Sequence, residues 1–261
     1  MDNNQSLLHY LSIAPLTIPT QGTTPGPNTP NTEYDADDIT QITDWPEFAY
    51  PTIIERYGQL LNTTQIRPDP FPSPPGPMKD EPTFHLRFAD LVMRRVGRAL
   101  RAGFEQLVPE VELEQRRLSV VTIDGGGAAE IIDQFRPDVA YIVAGPPGGS
   151  LLPGANRAPG ELKVSWKWRS STRFSHNVSE KREYKEGLAQ LNFYMGQHNA
   201  RHGFILSDAE LLPVKRLDGH GRLAVASSIP WGSGGIGQLS VLFGLWYLGM
   251  LAAEDDNWAL H

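Results

Sequence analysis

Cysteine is absent from this chain of 261 residues, and so is any excess of basic residues. The lack of cysteine excludes disulfide bonds, zinc sites built on thiolates and cysteine nucleophiles. The formal net charge is −7 at pH 7, so the chain as a whole lacks the basic signature that is typical of nucleic-acid-binding proteins. Any nucleic-acid contact must therefore come from a local cluster of Lys and Arg.

Long hydrophobic runs are also missing. The longest, Leu239–Ala253, is shorter than the roughly 20 residues that span a bilayer, and it is followed by three acidic residues, which predicts a buried C-terminal helix. The N-terminus has Asp2 before its short apolar run and shows no basic region or cleavage site of a secretory signal. We therefore expect no membrane partner and an intracellular location, cytoplasmic or nuclear.

What the sequence does contain is enough hydrophobic residues, 40%, to bury a sizeable core. Prolines divide the chain into three parts. Residues 1–35 are expected to form a flexible, proline-rich arm. Residues 36–79 are expected to form a helical extension, with two short helices between Asp37 and Leu61, and a proline-rich connector. Residues 80–261 are expected to form one α/β domain, with a mixed central sheet flanked by helices.

Hydrophobic spacing assigns the elements of that domain. Asp80 is expected to cap a long amphipathic helix that runs to Leu107. Two further strands, Val108–Leu113 and Leu118–Ile123, are expected before the central pair. The elements that follow are a strand at Val139–Val143, a strand at Gly160–Val164, a helix at Glu180–Asn199, a strand at Arg201–Leu206, and an outer hairpin of Leu211–Arg216 and Leu223–Ile229.

The central pair of strands carries a candidate site. Glu161 and Lys163 alternate with apolar residues in the second strand, so their side chains project from the same side. If the strands pair as a hairpin, Asp138 at the start of the first joins them. Two carboxylates are hard oxygen ligands that suit a divalent ion such as Mg²⁺. Such an ion activates water and neutralises charge on a phosphate.

The residues Pro137-Asp138 and Glu161-x-Lys163 resemble the signature of the PD-(D/E)XK nuclease superfamily. Gln190 and Tyr194 match the Q-x-x-x-Y motif of its branch that contains the RecB nuclease domain and lambda exonuclease. The chain looks particularly like the large set of fungal proteins of this type, over roughly residues 84 to 230. The resemblance implies a restriction-endonuclease-like core and a phosphodiesterase that hydrolyses nucleic acid with Mg²⁺ or Mn²⁺.

The same resemblance implies roles for individual residues. Asp138 and Glu161 would hold the metal, Lys163 would assist hydrolysis, and Gln190 and Tyr194 would support the substrate or the metal ligands. Some members place a further metal-associated glutamate near the end of the first helix, and Glu105 fits that place. Glu110, Glu112 and Glu114 are its rivals.

Candidate substrate-binding residues come from basic groups beside aromatic rings, a combination that suits a phosphate backbone and stacked bases. They lie in the basic and aromatic stretch between Lys163 and Lys185, in which Arg169–Val178 is expected to be a mobile loop at the mouth of the site, and on a basic stripe of the first helix. The candidates are Trp166, Lys167, Arg169 and Arg173 in this stretch, and Arg94 and Arg98 on the helix.

Two other functions stay open at this point. A nuclease-like fold can be repurposed as a transferase that uses aminoacyl-tRNA, such as an arginine-using cyclodipeptide synthase, whose acidic pocket would recognise a cationic substrate. Alternatively, the fold can serve as a non-catalytic binding domain in which Asp138, Glu161 and Lys163 form a buried charge network. The sequence does not distinguish DNA, RNA or tRNA as the partner, and it does not give the oligomeric state.

Overall fold

The computed structural model describes residues 4–24, 26, 31–70, 73–107, 117–145 and 153–260. Their centre is a mixed sheet in which seven strands follow the order β2-β9-β8-β7-β6-β5-β4, with β10 paired to β8. The strands are β1 (Gln5–Ser6), β2 (Gln41–Asp44), β3 (Gln65–Ile66), β4 (Val121–Gly125), β5 (Val139–Val143), β6 (Gly160–Lys163), β7 (His202–Ser207), β8 (Glu210–Arg216), β9 (Arg222–Val225) and β10 (Ile229–Pro230). The short strands β1 and β3 pair with each other, apart from this sheet.

Helices cover both faces of the sheet, so the expected α/β class is confirmed. The α-helices are α1 (Leu7–Leu11), α2 (Tyr50–Thr63), α3 (Glu81–Phe88), α4 (Arg94–Leu107), α5 (Val178–Gln197) and α6 (Val241–Ala253). A π-helical stretch, Ala89–Met93, joins α3 to α4 into one long helix. As expected, Asp80 caps it, because its side chain accepts a hydrogen bond from the Thr83 backbone N–H at 2.9 Å.

The two faces have separate cores. Side chains from β6 and β7 alternate between them, because successive residues of a strand point to opposite sides. Leu162 and Phe204 belong to the larger core, which includes residues of α2, α4 and α6. Ile205 belongs to the smaller core, which is formed largely with α5. Glu161 pairs with Ile205 in the parallel β6–β7 ladder, so its side chain lies on the α5 face.

One part of the N-terminal extension differs from the expectation. The prediction of the first short helix is wrong. Ala36–Asp38 forms a single 3₁₀ turn, and Gln41–Asp44 forms β2, an edge strand parallel to β9. The β-branched residues Ile42 and Thr43 favour this extended backbone, and pairing with β9 supplies its hydrogen bonds. The second helix forms as α2, where Pro51 stands in the first turn and so does not interrupt it.

The beginning of the chain also differs from a flexible arm, because α1 is packed into the larger core. Leu7, Tyr10 and Leu11 are fully buried there. The proline-rich connector is fastened nearby: Asp69 accepts hydrogen bonds from the Tyr10 hydroxyl at 2.7 Å and from Arg95 Nε at 2.9 Å. These contacts tie α1 and the connector to α4.

The remaining assignments follow the sequence closely. The predicted strand at Leu118–Ile123 lies at Val121–Gly125, and the predicted strand at Val108–Leu113 falls outside the described residues. The C-terminal helix is α6, and every one of its residues is buried. Among the helices of the described ranges, none combines the length and the apolar character needed to cross a membrane.

Candidate functional site

Asp138 and Glu161 face each other across two neighbouring strands. Strands β5 and β6 are antiparallel with Val139 opposite Gly160, so the next pair outward is Asp138 and Glu161. Directly opposed side chains lie on the same face, with Cβ atoms about 5 Å apart. The backbone N–H of Leu162 donates to Asp138 Oδ2 at 2.9 Å, which fixes that carboxylate against β6.

Lys163 projects from the same face of β6 as Glu161. Its Nζ atom donates to Glu161 Oε1 at 3.2 Å and to Gln190 Oε1 at 2.5 Å. The side chains of Glu161 and Lys163 are only 5% and 9% exposed, whereas that of Asp138 is 23% exposed. The structure therefore brings Asp138, Glu161, Lys163 and Gln190 together in a cluster that is open mainly at Asp138.

This cluster holds more acid than base. Burial raises the pKa of Glu161 to about 8, with the Lys163 ammonium acting against this rise and the Asp138 carboxylate adding to it. Burial lowers the pKa of Lys163, but Glu161, Glu81 and Asp138 together outweigh it, and the net shift is upward. At neutral pH Glu161 is consequently protonated while Lys163 keeps its charge.

Gln190 and Tyr194 reach the cluster from α5. They are four residues apart and share one face of the helix, as the Q-x-x-x-Y spacing predicts. Burial and the Glu161 carboxylate raise the pKa of Tyr194, and the Gln190 side chain, which is hydrogen-bonded to it, opposes the rise. Tyr194 is thus a protonated phenol next to the acidic pair.

Two residues of α3 were missed by the sequence interpretation. His85 Nδ1 lies 3.9 Å from Asp138 Oδ1, and Glu81 is close enough to raise the pKa values of Glu161 and Lys163. Their four-residue spacing in a helix capped by Asp80 indicates a shared face. The sequence gives no signal that this face meets β5 and β6, because His85 is 53 residues from Asp138 and Glu81 is 80 residues from Glu161 along the chain.

The expected third metal ligand, Glu105, is not part of this cluster. It is exposed in α4, twenty-four residues after Glu81 along the same long helix, which corresponds to roughly 35 Å. In the part of the chain that the structure describes, no group of three or more His, Asp or Glu is arranged for a metal ion. Glu110, Glu112 and Glu114 lie outside the described residues.

The two arginines of the basic stripe also lie away from the cluster. Arg98 pairs with Asp69 and stacks over the Tyr10 ring, and Arg94 pairs with Asp90 at 3.8 Å. They follow Glu81 by more than three helical turns, which carries them away from the cluster. Arg98 supports packing of the N-terminal extension, and Arg94 is exposed on the helix surface.

The loop candidates divide into two groups. Trp166 and Lys167 line a cleft of about 760 Å³ together with Lys79, Glu81 and His85, and Lys167 Nζ lies 3.4 Å from Glu81 Oε2. This cleft leads toward Asp138 through His85. The other two are engaged in the fold: Arg169 Nε donates to the Ser165 carbonyl at 3.0 Å, and Arg173 pairs with Asp44 at 3.0 Å.

Contrary to the expectation of a mobile loop, hydrogen bonds hold this segment against the sheet. Asp208 accepts hydrogen bonds from both the backbone N–H and the hydroxyl of Ser165, each at 2.7 Å. Glu210 does the same for Ser170, at 2.7 and 2.6 Å. The carboxylates that follow β7 thereby hold the segment that follows β6, and this fixes the end of the strand that carries Lys163.

Gly126 offers a test of how Asp138 is positioned. Its N–H donates to the Asp138 carbonyl at 2.9 Å, and an added Cβ would lie 1.7 Å from the Pro137 carbonyl oxygen. We expect Gly126→Ala to lower the free energy of unfolding by about 2–3 kcal/mol, because the backbone before Asp138 must shift. Urea denaturation measures this loss. Gly125→Ala is the control, since its Cβ meets nothing within 4 Å, and an equal loss in both variants would contradict the prediction.

No protein-family model, no curated protein and no solved structure matches this chain. The positions of the side chains therefore carry the functional argument, together with the motif resemblance.

Proposed function

We propose that this protein is a Mg²⁺- or Mn²⁺-dependent phosphodiesterase of the PD-(D/E)XK type that acts on nucleic acid. The observation that carries the proposal is the cluster of Asp138, Glu161, Lys163 and Gln190, in which Lys163 Nζ donates to Glu161 and Gln190 and the Leu162 backbone N–H holds Asp138 beside them. These groups come from distant parts of the chain, and their order matches the motifs of that superfamily. The P-D, E-x-K and Q-x-x-x-Y motifs are short, and they support the proposal more strongly because their residues lie next to one another in the fold.

The donor set suits a divalent cation. Mg²⁺ usually keeps several waters and is held in proteins by one or two carboxylates together with substrate phosphates. Asp138 and Glu161 supply those carboxylates; burial raises the pKa of Glu161 to about 8, and the neighbouring Asp138 carboxylate adds to the rise. A bound cation supplies Lewis acidity and a water of lowered pKa.

The protein's own groups have distinct tasks in this proposal. Lys163 carries an ammonium that Glu161 and Gln190 orient, and its charge stabilises the negative charge of a phosphodiester under attack. Asp138 is anchored through Oδ2 and keeps Oδ1 toward His85. Trp166 and Lys167 line the neighbouring cleft. There the Trp166 ring can stack on a base and the Lys167 ammonium can contact the phosphate backbone of the bound nucleic acid.

Metal affinity is expected to rise with pH up to about 8. Below that value Glu161 carries a proton that a cation must displace, and above it the carboxylate is already free. The dissociation constant of Mn²⁺ should therefore fall by up to about tenfold per pH unit below pH 8 and then level off. Calorimetric titration in buffers of different ionisation enthalpy measures both the affinity and the released proton.

Glu161→Gln is the matched variant for this titration, because it keeps the shape and removes the ionisable group. It should bind Mn²⁺ weakly and show no such pH dependence. A wild-type affinity that does not change across the same pH range would contradict the role of Glu161 as a ligand. Hydrolysis of labelled single- and double-stranded DNA and RNA, with Mg²⁺ and with a chelator, tests the activity itself.

A second function is favoured by one observation, the burial of the Glu161–Lys163 pair. A pair that is fully satisfied inside the fold also suits a binding domain without catalysis, in which the cluster stabilises the junction of β6 and α5. That function predicts no Mn²⁺ binding and no hydrolysis. It also predicts that Glu161→Gln and Lys163→Met combined leave nucleic-acid binding unchanged.

A further inference from the structure

A second cleft, of about 380 Å³, borders the cluster on the side of Tyr194. Its lining consists of Ile131, Gln134, Phe135, Arg136 and Tyr194. Tyr194 connects it to the acidic pair, since the Glu161 and Asp138 carboxylates both act on its phenol. Arg136 also links this cleft to the cluster, because it lies two residues before Asp138 in the sequence.

The segment that builds this cleft is a strained turn. Asp133 and Gln134 have φ values of 51° and 67°, in the left-handed region that residues other than glycine rarely adopt. The Phe135 N–H donates to the Ile132 carbonyl at 2.9 Å, and Gln197 Nε2 of α5 donates to the same oxygen at 3.2 Å. Strain of this kind persists where surrounding contacts fix it, and it concentrates at binding sites.

The turn presents one aromatic ring and one free cation. The Phe135 ring lies 5.0 Å from that of Phe193, which in turn lies 5.5 Å from Tyr34, and all three are half-buried. Arg136 is exposed and forms no ion pair with any residue in the described ranges. It therefore differs from Arg94, Arg98 and Arg173, whose charges are already paired.

We propose that this cleft binds a nucleoside phosphate, with the Arg136 guanidinium pairing with the phosphate and the Phe135 ring packing against the base. An arginine fork matches two phosphate oxygens, and an aromatic face accepts any base. The assignment rests on the proposed function in one respect: if the protein is a phosphodiesterase, this cleft binds the nucleotide next to the bond that is cleaved. The ligand is either a nucleotide of a single strand or a free nucleotide, which share this chemistry.

The test is binding in the presence of a chelator, where no hydrolysis occurs. Fluorescence anisotropy of a labelled, short single-stranded oligonucleotide gives the dissociation constant for the whole protein. Arg136→Gln is expected to weaken binding by about tenfold, and Arg136→Lys should recover part of the loss. Phe135→Leu should weaken it several-fold. Arg101→Gln, an exposed arginine of α4, is the control and should bind like the wild type.

Competition with adenosine 5′-monophosphate separates the two sources. If the mononucleotide displaces the oligonucleotide and needs Arg136, the cleft accepts a free nucleotide; if only the strand binds, it accepts a nucleotide of a chain. Wild-type binding that is absent, or unaffected by both Arg136→Gln and Phe135→Leu, overturns the assignment. So does an equal loss in Arg101→Gln. Binding that depends on Arg136 without any Mg²⁺-dependent hydrolysis would retain the cleft and reject the phosphodiesterase.

Discussion

Lys163→Met is expected to reduce Mg²⁺-dependent hydrolysis by about a thousandfold while the protein stays folded. The loss follows from removing the ammonium that would stabilise negative charge on the phosphodiester, and removal of one such group commonly has an effect of this size. The fold should survive because methionine fills a similar volume. In addition, Glu161, with its pKa raised to about 8, remains neutral at pH 7 and does not become an unpaired buried charge. Initial rates and far-ultraviolet circular dichroism measure the two parts of this prediction.

Asp138→Ala should cause a loss of the same order, since it removes a metal ligand. Lys181→Met is the matched control, because Lys181 is exposed on α5 and the substitution is chemically identical to that at Lys163. Retained Mg²⁺-dependent hydrolysis in both Asp138→Ala and Lys163→Met would remove the proposed mechanism. A similar loss in Lys181→Met would show that the substitution acts through stability or long-range charge.

The second large effect concerns stability in acid and arises at His202. Burial lowers the pKa of His202 to about 3, helped by the charges of Lys215 and Arg201. Its ring stacks on Trp45 at 5.5 Å, and Nδ1 is buried without a hydrogen-bond partner among the described residues. The folded state therefore holds the neutral imidazole.

The direction of this pH effect follows from the pKa of the histidine in the unfolded chain, which is 6.5. As the pH falls below 6.5, the unfolded chain takes up a proton at this histidine and the folded chain does not, so the free energy of unfolding decreases. The decrease amounts to about 1.4 kcal/mol per pH unit and on the order of 5 kcal/mol in total by about pH 3. Urea denaturation at a series of pH values measures it.

His202→Phe keeps a ring against Trp45 and removes the titrating group. We expect this variant to lose less stability between pH 6.5 and pH 3 than the wild type does. The exposed His220, changed to Gln, is the control and should retain the wild-type dependence. If His202→Phe and the wild type lose the same free energy over this range, other groups cause the acid sensitivity.

The sequence predicted the central part of the fold because local signals and tertiary structure agree there. The apolar run Val139–Val143 and the alternation in Gly160–Lys163 are strand patterns, and the sheet buries both strands. The same alternation placed Glu161 and Lys163 on one face. The four-residue spacing of Gln190 and Tyr194 placed both on the side of α5 that covers this face.

Other parts depend on partners that a single sequence does not reveal. The segment Gln41–Asp44 becomes a strand because β9 offers an edge about 180 residues further along the chain. Glu81 and His85 reach the cluster because α3 packs beside β6, and Glu105 does not because the long helix carries it away. The turn at Asp133 and Gln134 lacks the glycine that normally marks such a backbone.

A crystal soaked in MnCl₂ and measured at the manganese absorption edge would show whether Asp138 and Glu161 together hold a divalent cation, as we propose. An anomalous peak is expected between the two carboxylates in the wild type, and it should disappear in Glu161→Gln. A soaked crystal without such a peak, in which Lys163 Nζ remains 3.2 Å from Glu161 Oε1, would contradict this proposal.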